Sequence, residues 1–387
     1  MKKRAAVLGC GLIGATMARE LAADEQYEVI ALDASPQNLQ RLADVPRLTP
    51  KQIDLSKPGD LQAAIAPVDV VVGALPSKLG FVTLETVIRA RKPYCDISFM
   101  PQDVLALDAL AKEHKVAAVV DCGVSPGLSN MMVAYGASRL DRTDRAEIYV
   151  GGLPRDRTWP YQYKAPFAPS DVIEEYTRPA RFRENGTLVV RPALSEPELM
   201  DFAGVGTLEA FNTDGLRSLL TTLDIPNMKE KTLRYPGHIE LMRVLRETGF
   251  FSEDAIAVRG VSVRPLDVTS ALLFPKWKPD PQESEFTVLR VIVEGVKNDR
   301  SVRVQFDLFD ENDPVRGMSS MARTTGFPCV IVAKMLAEGR INNHGVLPPE
   351  LIARQPGVFE HVVAELNARN VRITQTETEL EIQYGRF

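Results

Sequence analysis

Residues 4–18 read RAAVLGCGLIGATMA and set Gly9, Gly11 and Gly14 between a short apolar run and a helical pattern. Arg4 to Leu8 is apolar, bounded by glycine and suited to a buried strand. Ile13 to Leu21 repeats its apolar residues at helical spacing. The three glycines therefore fall on a strand-to-helix turn in the pattern GxGxxG, and each has a physical task there. The first permits the tight turn, the second lets the backbone approach a pyrophosphate, and the third allows close contact between helix and strand. Leu12, Ile13 and Gly14 open the helix, whose free N–H groups and partial positive charge attract phosphate oxygens.

A second strand, Tyr27 to Leu32, ends at Asp33, nineteen residues after Gly14. That spacing is near the roughly 20 residues expected of the acid that holds a dinucleotide's ribose. A carboxylate there accepts hydrogen bonds from both ribose hydroxyls. It repels a 2′-phosphate by about 1 kcal/mol in water and about 4 kcal/mol at a partly shielded surface. Asp33 thus favours NAD over NADP. No arginine follows at Ala34, Ser35 or Pro36 to clamp a phosphate, although Arg41 lies within helical reach.

Beyond Asp33 the strand and helix alternation continues. Strands are expected at Gln52–Asp54, Val68–Ala74, Tyr94–Ile97 and Val116–Asp121, and helices at Pro58–Ala66, Phe81–Arg91 and Gln102–His114. Such alternation gives an α/β fold with a doubly wound, Rossmann-type parallel sheet that binds ligands at the carboxyl ends of its strands. Several strands end in small or acidic residues there. Asp54, with Leu55 after it, is expected beside the adenine, Ala74, Leu75 and Pro76 beside the nicotinamide ribose, and Asp96 and Asp121 toward the reacting centre.

The chain's 387 residues exceed the usual limit of one hydrophobic core, so two domains are expected. Charged residues make up 25% and the formal net charge is -5. That charge supplies no basic field for nucleic acid or an anionic membrane, which leaves small-molecule chemistry. Cys10, Cys95, Cys122 and Cys329 form no CxxC pair, and the first apolar run is too short for a signal peptide or a membrane span. A cytoplasmic protein with reduced thiols and no disulfide framework is expected.

After Asp121 the pattern changes. DCGVSPGLSN (121–130) is a loop entering a helix that runs to about Arg139. From Ala146 onward the strands look antiparallel. Glu285–Glu294 places Leu289, Val291 and Val293 on one face, Val302–Leu308 alternates, and Lys297–Arg300 turns between them. This predicts an inserted α+β domain built on a mostly antiparallel, half-solvated sheet.

The glycine turn, DCGVSPGLSN, YVGGLP (149–154), LEAFNTDG (208–215), LRYPGH (233–238), MARTTGFP (321–328) and GVLPPE (345–350) together resemble the saccharopine dehydrogenase family, nearest its L-lysine 6-dehydrogenase branch. The resemblance implies a homodimer whose second domain interrupts the nucleotide unit. Residues 1–122 would bind NAD, 123–320 would bind substrate and dimerise, and 321–387 would return to the nucleotide unit, with Pro328 opening a helix. Saccharopine reductases usually carry Ser-Tyr where this chain has Ser98-Phe99, and Glu where it has Cys122. The missing phenol and carboxylate argue against a bulky tricarboxylic substrate.

Hydride transfer from an amine needs the donor carbon held over a nicotinamide, a base to keep the nitrogen neutral, and water to complete deamination. It needs no metal. Asp121 and His238 are the candidates for proton transfer, each weighed against a helix-capping role. His114 and His361 read as surface residues and His344 as part of a turn. A lysine substrate also brings a carboxylate, for which Arg217, Arg234 and Arg323 are candidates. Its ammonium has Asp96, Glu209 and Asp214, with Thr213 beside them. Each of these charged groups also has a plain reading as a structural ion pair. Cys122 reads as a small buried core residue rather than a nucleophile.

The expected function is NAD-dependent oxidative deamination of L-lysine at its ε-amine, giving allysine, which cyclises to piperideine-6-carboxylate, and ammonia. The rivals are a dehydrogenase or reductase forming or cleaving saccharopine or carboxynorspermidine with NAD(P), and a dinucleotide-binding sensor without turnover.

Overall fold

A computed structural model of the chain describes residues 2–280 and 283–380. Short runs that are apolar on both faces can be buried only between helical layers, and the first part of the chain folds accordingly. Its elements are β1 (Lys3–Leu8), α1 (Leu12–Ala23), β2 (Tyr27–Asp33), α2 (Pro36–Gln40), β3 (Leu48–Gln52), α3 (Pro58–Ile65), β4 (Val70–Gly73), α4 (Ser77–Arg89), β5 (Tyr94–Asp96), α5 (Asp108–His114), β6 (Ala117–Val119) and α6 (Leu128–Ser138). The middle of the chain adds β7 (Arg142–Pro154), α7 (Pro169–Thr177), β8 (Ala180–Glu184), β9 (Thr187–Arg191), β10 (Glu198–Phe202), β11 (Gly206–Asn212), α8 (Leu219–Thr222), β12 (Asn227–Arg234), α9 (His238–Thr248), β13 (Ile256–Val258), β14 (Val261–Val263), α10 (Pro265–Trp277), β15 (Glu285–Lys297) and β16 (Arg300–Glu311). Then follow α11 (Ser320–Ala337), β17 (Gly345–Leu347), α12 (Pro349–Ala353), α13 (Val358–Ala368) and β18 (Ile373–Glu379).

Two units result. The described parts of Met1–Tyr135 and Met321–Arg372 form one, and those of Gly136–Ser320 and Ile373–Phe387 the other. The first unit carries a seven-stranded sheet in the order β17-β6-β5-β4-β1-β2-β3, and every pairing in it is parallel. Strand order reverses at β1, with β2 on one side and β4 on the other, so the crevice of a doubly wound sheet lies above β1 and β4. β17 comes from the returning segment. Asp108 Oδ1 on α5 accepts the Val346 N–H at 3.1 Å and anchors that strand.

The second unit holds a nine-stranded sheet whose main path is β10-β11-β12-β7-β15-β16-β18, with β8 and β9 branching from β12. Only the β12–β7 pairing is parallel. β15 and β16 join through Asn298 and Asp299, both at positive φ (50° and 60°). That is the two-residue turn whose twist matches the strands it links. Tyr149, Tyr163, Tyr176, Phe211, Met242 and Trp277 fill the core between this sheet and helices α7, α9 and α10. Elsewhere on the sheet, ion pairs run across five strands from Arg303 through Glu294, Arg145, Glu147 and Lys229 to Glu198 and Lys231.

Four sequence expectations need correction. β3 lies at Leu48–Gln52, not Gln52–Asp54, because Asp54 instead forms a local turn with Ser56. β15 is buried almost throughout, with Val288 and Ile292 covered as well as Leu289, Val291 and Val293. It is a central strand apolar on both faces, whereas β16 keeps the alternation of a half-solvated strand. Pro328 sits inside α11 rather than opening it. Helical pattern on both sides of a proline outweighs the single backbone hydrogen bond it removes. Finally, the nucleotide unit runs to Tyr135 rather than residue 122, and the chain leaves it again at Ile373, where β18 pairs with β16 of the other sheet.

Candidate functional site

The carboxyl edge of the parallel sheet is built from the glycine turn upward. Gly9 has φ +83°, and a Cβ there would meet the Ala74 carbonyl oxygen at 2.5 Å. A Cβ on Gly14 would fall 1.9 Å from the Gly9 oxygen, whereas one on Gly11 would meet nothing within 4 Å. Two of the glycines are thus demanded by packing, and the middle one faces open space, which is the cradle a pyrophosphate fills. Helix α1 starts there with Gly11 as its N-cap, no side-chain cap and no acidic residue in its first turn. Leu12 stands 51% exposed at the entrance. The residues present fit a dinucleotide.

Asp33 closes β2 and accepts hydrogen bonds from the Cys10 N–H at 2.6 Å, the Ser35 N–H at 2.7 Å and the Asn38 amide at 3.2 Å. Its carboxylate therefore ties the glycine loop to the end of β2 and to the start of α2. Ala74 follows β4, and Pro76 caps α4, which begins at Ser77, four residues earlier than the spacing predicts. Leu75 and Leu55 do not line the crevice with free surface. Both are buried in the core with Leu61, Leu84 and Val71. Asp54 is exposed and held by Ser56 and Lys57, with the Ser56 hydroxyl bond the largest of the forces lowering its pKa.

Asp96 ends β5 and Asp121 follows β6, so the sheet sets the two acids on neighbouring strands. Asp121 is 2% exposed and takes φ 52°, a left-handed conformation that Asp tolerates better than most residues. Asp96 is wholly buried. It accepts hydrogen bonds from the Tyr94 hydroxyl and the Ser98 N–H, each at 3.1 Å. Burial pushes its pKa up to about 7, the negative charge of Asp121 adds to the rise, and its bonds to Ser98 and Tyr94 oppose it. Sealed in this way, Asp96 offers no open face to an ammonium group.

Cys95, Cys122 and Cys329 are buried thiols, with the Cys95 and Cys329 sulfurs 3.4 Å apart. The Cys122 pKa is pushed well above the ordinary thiol range, first by its hydrogen bond with Cys95 and then by burial. This is the reverse of what a nucleophilic cysteine needs. Among the described residues no group of three or more His, Cys, Asp or Glu side chains is placed to hold a metal, and no helix is long and apolar enough to cross a membrane.

The substrate candidates of the second unit are each engaged by other groups of the protein. Arg234 donates from Nη2 to Glu175 at 2.6 Å and from Nε to the Tyr176 hydroxyl at 3.2 Å, and stacks 4.4 Å from the centre of the Tyr163 ring. His238 opens α9 as expected, but both its ring nitrogens are occupied. The Tyr161 carbonyl can only accept, so Nδ1, 2.8 Å away, carries the proton, and Nε2 accepts from the Tyr176 hydroxyl at 2.9 Å. Burial, followed by the charge of Arg234, lowers the His238 pKa to about 3, which keeps the ring neutral.

Glu209 accepts the Gly237 N–H at 3.1 Å, next to the start of α9. Thr213 donates to Glu230 at 2.6 Å, and Asp214 pairs with Arg181 at 2.8 Å. Arg323, on α11 of the first unit, donates to the Arg369 carbonyl at 3.1 Å. Sequence reading missed Glu175, Tyr163, Tyr176 and Glu230. It also missed Asn130 and Glu350, although both lie inside stretches it singled out.

An open glycine turn, an acid closing β2 and a carboxylate at the end of a central parallel strand define a dinucleotide-binding α/β unit. Comparison with known proteins makes this more specific. The model described as the saccharopine dehydrogenase NADP binding domain matches residues 5–119, and that of the saccharopine dehydrogenase C-terminal domain matches residues 123–371. The chain belongs to the saccharopine dehydrogenase family.

It is similar to the mitochondrial alpha-aminoadipic semialdehyde synthase of Bos taurus, with 21% identity over 435 residues covering 94% of this chain and 47% of that protein. It is also similar to the saccharopine dehydrogenase (NADP(+), L-glutamate-forming) of Pyricularia oryzae, with 22% identity over 386 residues covering 79% of this chain and 84% of that one. The solved apo saccharopine dehydrogenase (L-Glu forming) of Saccharomyces cerevisiae shares the fold at a TM-score of 0.81 and 18% identity, covering 97% of this chain and all of that one. The chain spans about half the length of the animal relatives it matches.

Proposed function

We propose that the chain is a nicotinamide-dinucleotide-dependent oxidoreductase of an amino-acid C–N bond, and that its substrate is a secondary amine of the saccharopine kind. The observation that carries this reading is the family match across both parts of the chain. The glycine turn and the Asp121 edge supply the chemistry it needs. The dinucleotide, when bound, accepts or donates the hydride. The α1 N-terminus would hold its pyrophosphate and Asp33 its ribose. Asp121 would take the proton from the substrate ammonium, so that the nitrogen lone pair can form the C=N bond as the hydride leaves carbon. Water then adds to that carbon and the C–N bond breaks.

Lysine oxidised at its ε-amine to allysine and ammonia is the second reading. The relatives' names support it less well, but Phe99 and Cys122 favour it, because they supply neither phenol nor carboxylate for a larger substrate. On the cofactor two supports diverge. The family model and the Pyricularia relative carry NADP in their names, while the carboxylate of Asp33 opposes a 2′-phosphate. Rates of nicotinamide reduction with saccharopine and with lysine, each with NAD and NADP, test all of this. Turnover of saccharopine in excess of lysine is expected. Turnover of lysine alone would replace the first reading with the second, and turnover of neither would remove both.

A further inference from the structure

The segment between β6 and α6 is folded back on itself. The Gly123 N–H bonds to the Pro126 carbonyl at 3.0 Å, and the Leu128 N–H returns to the Gly123 carbonyl at 2.8 Å. Gly127 has φ +134°, and a Cβ there would lie 2.1 Å from the Gly123 oxygen. This tight fold begins at Gly123, two residues after Asp121.

The fold is held by a fully buried clamp. The Gly127 N–H can only donate, so the Asn130 atom 3.2 Å away is its carbonyl Oδ1, and Nδ2 is left to donate to Glu350 Oε2 at 3.1 Å. Ser129 Oγ adds a bond to the same Oδ1 at 3.2 Å and one to Ser125 Oγ at 3.0 Å. Asn130 and Glu350 are both 0% exposed. Glu350 comes from the returning segment, 220 residues further along. A carboxylate so deeply buried is costly to keep unless its acceptor role matters.

We propose that Glu350 is a positioning residue, which through Asn130 fixes the loop after β6 and hence the aim of Asp121. The proposal rests on the reading of Asp121 as the proton acceptor. An amide at residue 350 can still accept from Asn130, whereas a methyl cannot.

The test uses the full chain carrying Glu350→Gln, Glu350→Ala and, should the latter fail to fold, Asn130→Ala. Two readouts are taken: hydrogen exchange at the Gly127 amide, and kcat and KM for the amine with the best substrate found. With Ala the Gly127 amide is expected to lose protection and kcat to fall about 10- to 100-fold, as a misaimed group predicts. KM and dinucleotide affinity should hold, and Gln should restore both protection and rate. Unchanged exchange in Glu350→Ala overturns the clamp. Lost protection with undiminished kcat overturns the positioning role, as does a Gln variant as slow as Ala. A wild-type chain inert toward every amine but with the clamp intact by exchange overturns the positioning role together with the proposed function.

Discussion

Asp121 owes its place to the parallel sheet. It follows β6 at the carboxyl edge of the sheet and takes a left-handed backbone conformation there. General acid–base groups contribute about 10²- to 10⁴-fold, so Asp121→Asn should lose that much turnover while its dinucleotide affinity, measured by calorimetry, stays near wild type. Asp33→Asn should shift the kcat/KM ratio toward NADP by about fivefold or more, the effect of removing about 1 kcal/mol of repulsion.

Asp96 makes a prediction in pH. Its pKa is about 7 in the folded chain, against roughly 3.9 unfolded. Between those values the folded state holds the extra proton, so the contribution to stability is fully present below about pH 4 and is lost as pH rises through about 7. Denaturant melts of Asp96→Asn should lack this decline, and an identical pH dependence in the variant would contradict the assignment. The positions of Asp33 and Asp121 at the carboxyl edge were legible in the sequence because each ends an apolar run. The engagement of Arg234 was not, since its partner Glu175 lies 59 residues away and only the fold brings them together.

At the scale of elements, the β1–α1 turn separates two kinds of glycine that one motif spells alike. Gly14→Ala drives a Cβ into the Gly9 carbonyl and should cost about 3 kcal/mol of stability. Gly11→Ala meets nothing and needs no unusual φ, so the unfolding midpoint should stay within about 2 °C while dinucleotide affinity drops. Thermal melts and calorimetry on the pair check this, and a Gly11→Ala variant that binds normally would place the pyrophosphate elsewhere. The turn was readable because its constraint is local. The start of α11 was not, because proline is read as a helix opener, and the helical residues before Pro328 are set by burial within the first unit. The full burial of β15 was likewise hidden, since alternation reports only one covered face.

Across the whole molecule, the order of strands and helices announced a parallel sheet followed by a mostly antiparallel one, and the structure has both. The path of the chain between them was harder to see. β17 extends the first sheet beside β6 and β18 extends the second beside β16, yet each is a short segment whose place is set by pairing with a strand far away in sequence. The proposed reaction class rests on family membership, and the residues proposed to carry it lie at the carboxyl edge of the first sheet. The most direct test of that union is NAD(P)H formation by the purified chain given saccharopine or lysine, run beside Asp121→Asn. Amine-dependent reduction of the nicotinamide in the wild type, reduced at least a hundredfold in the variant, is the predicted result. Equal rates in the two proteins would contradict it.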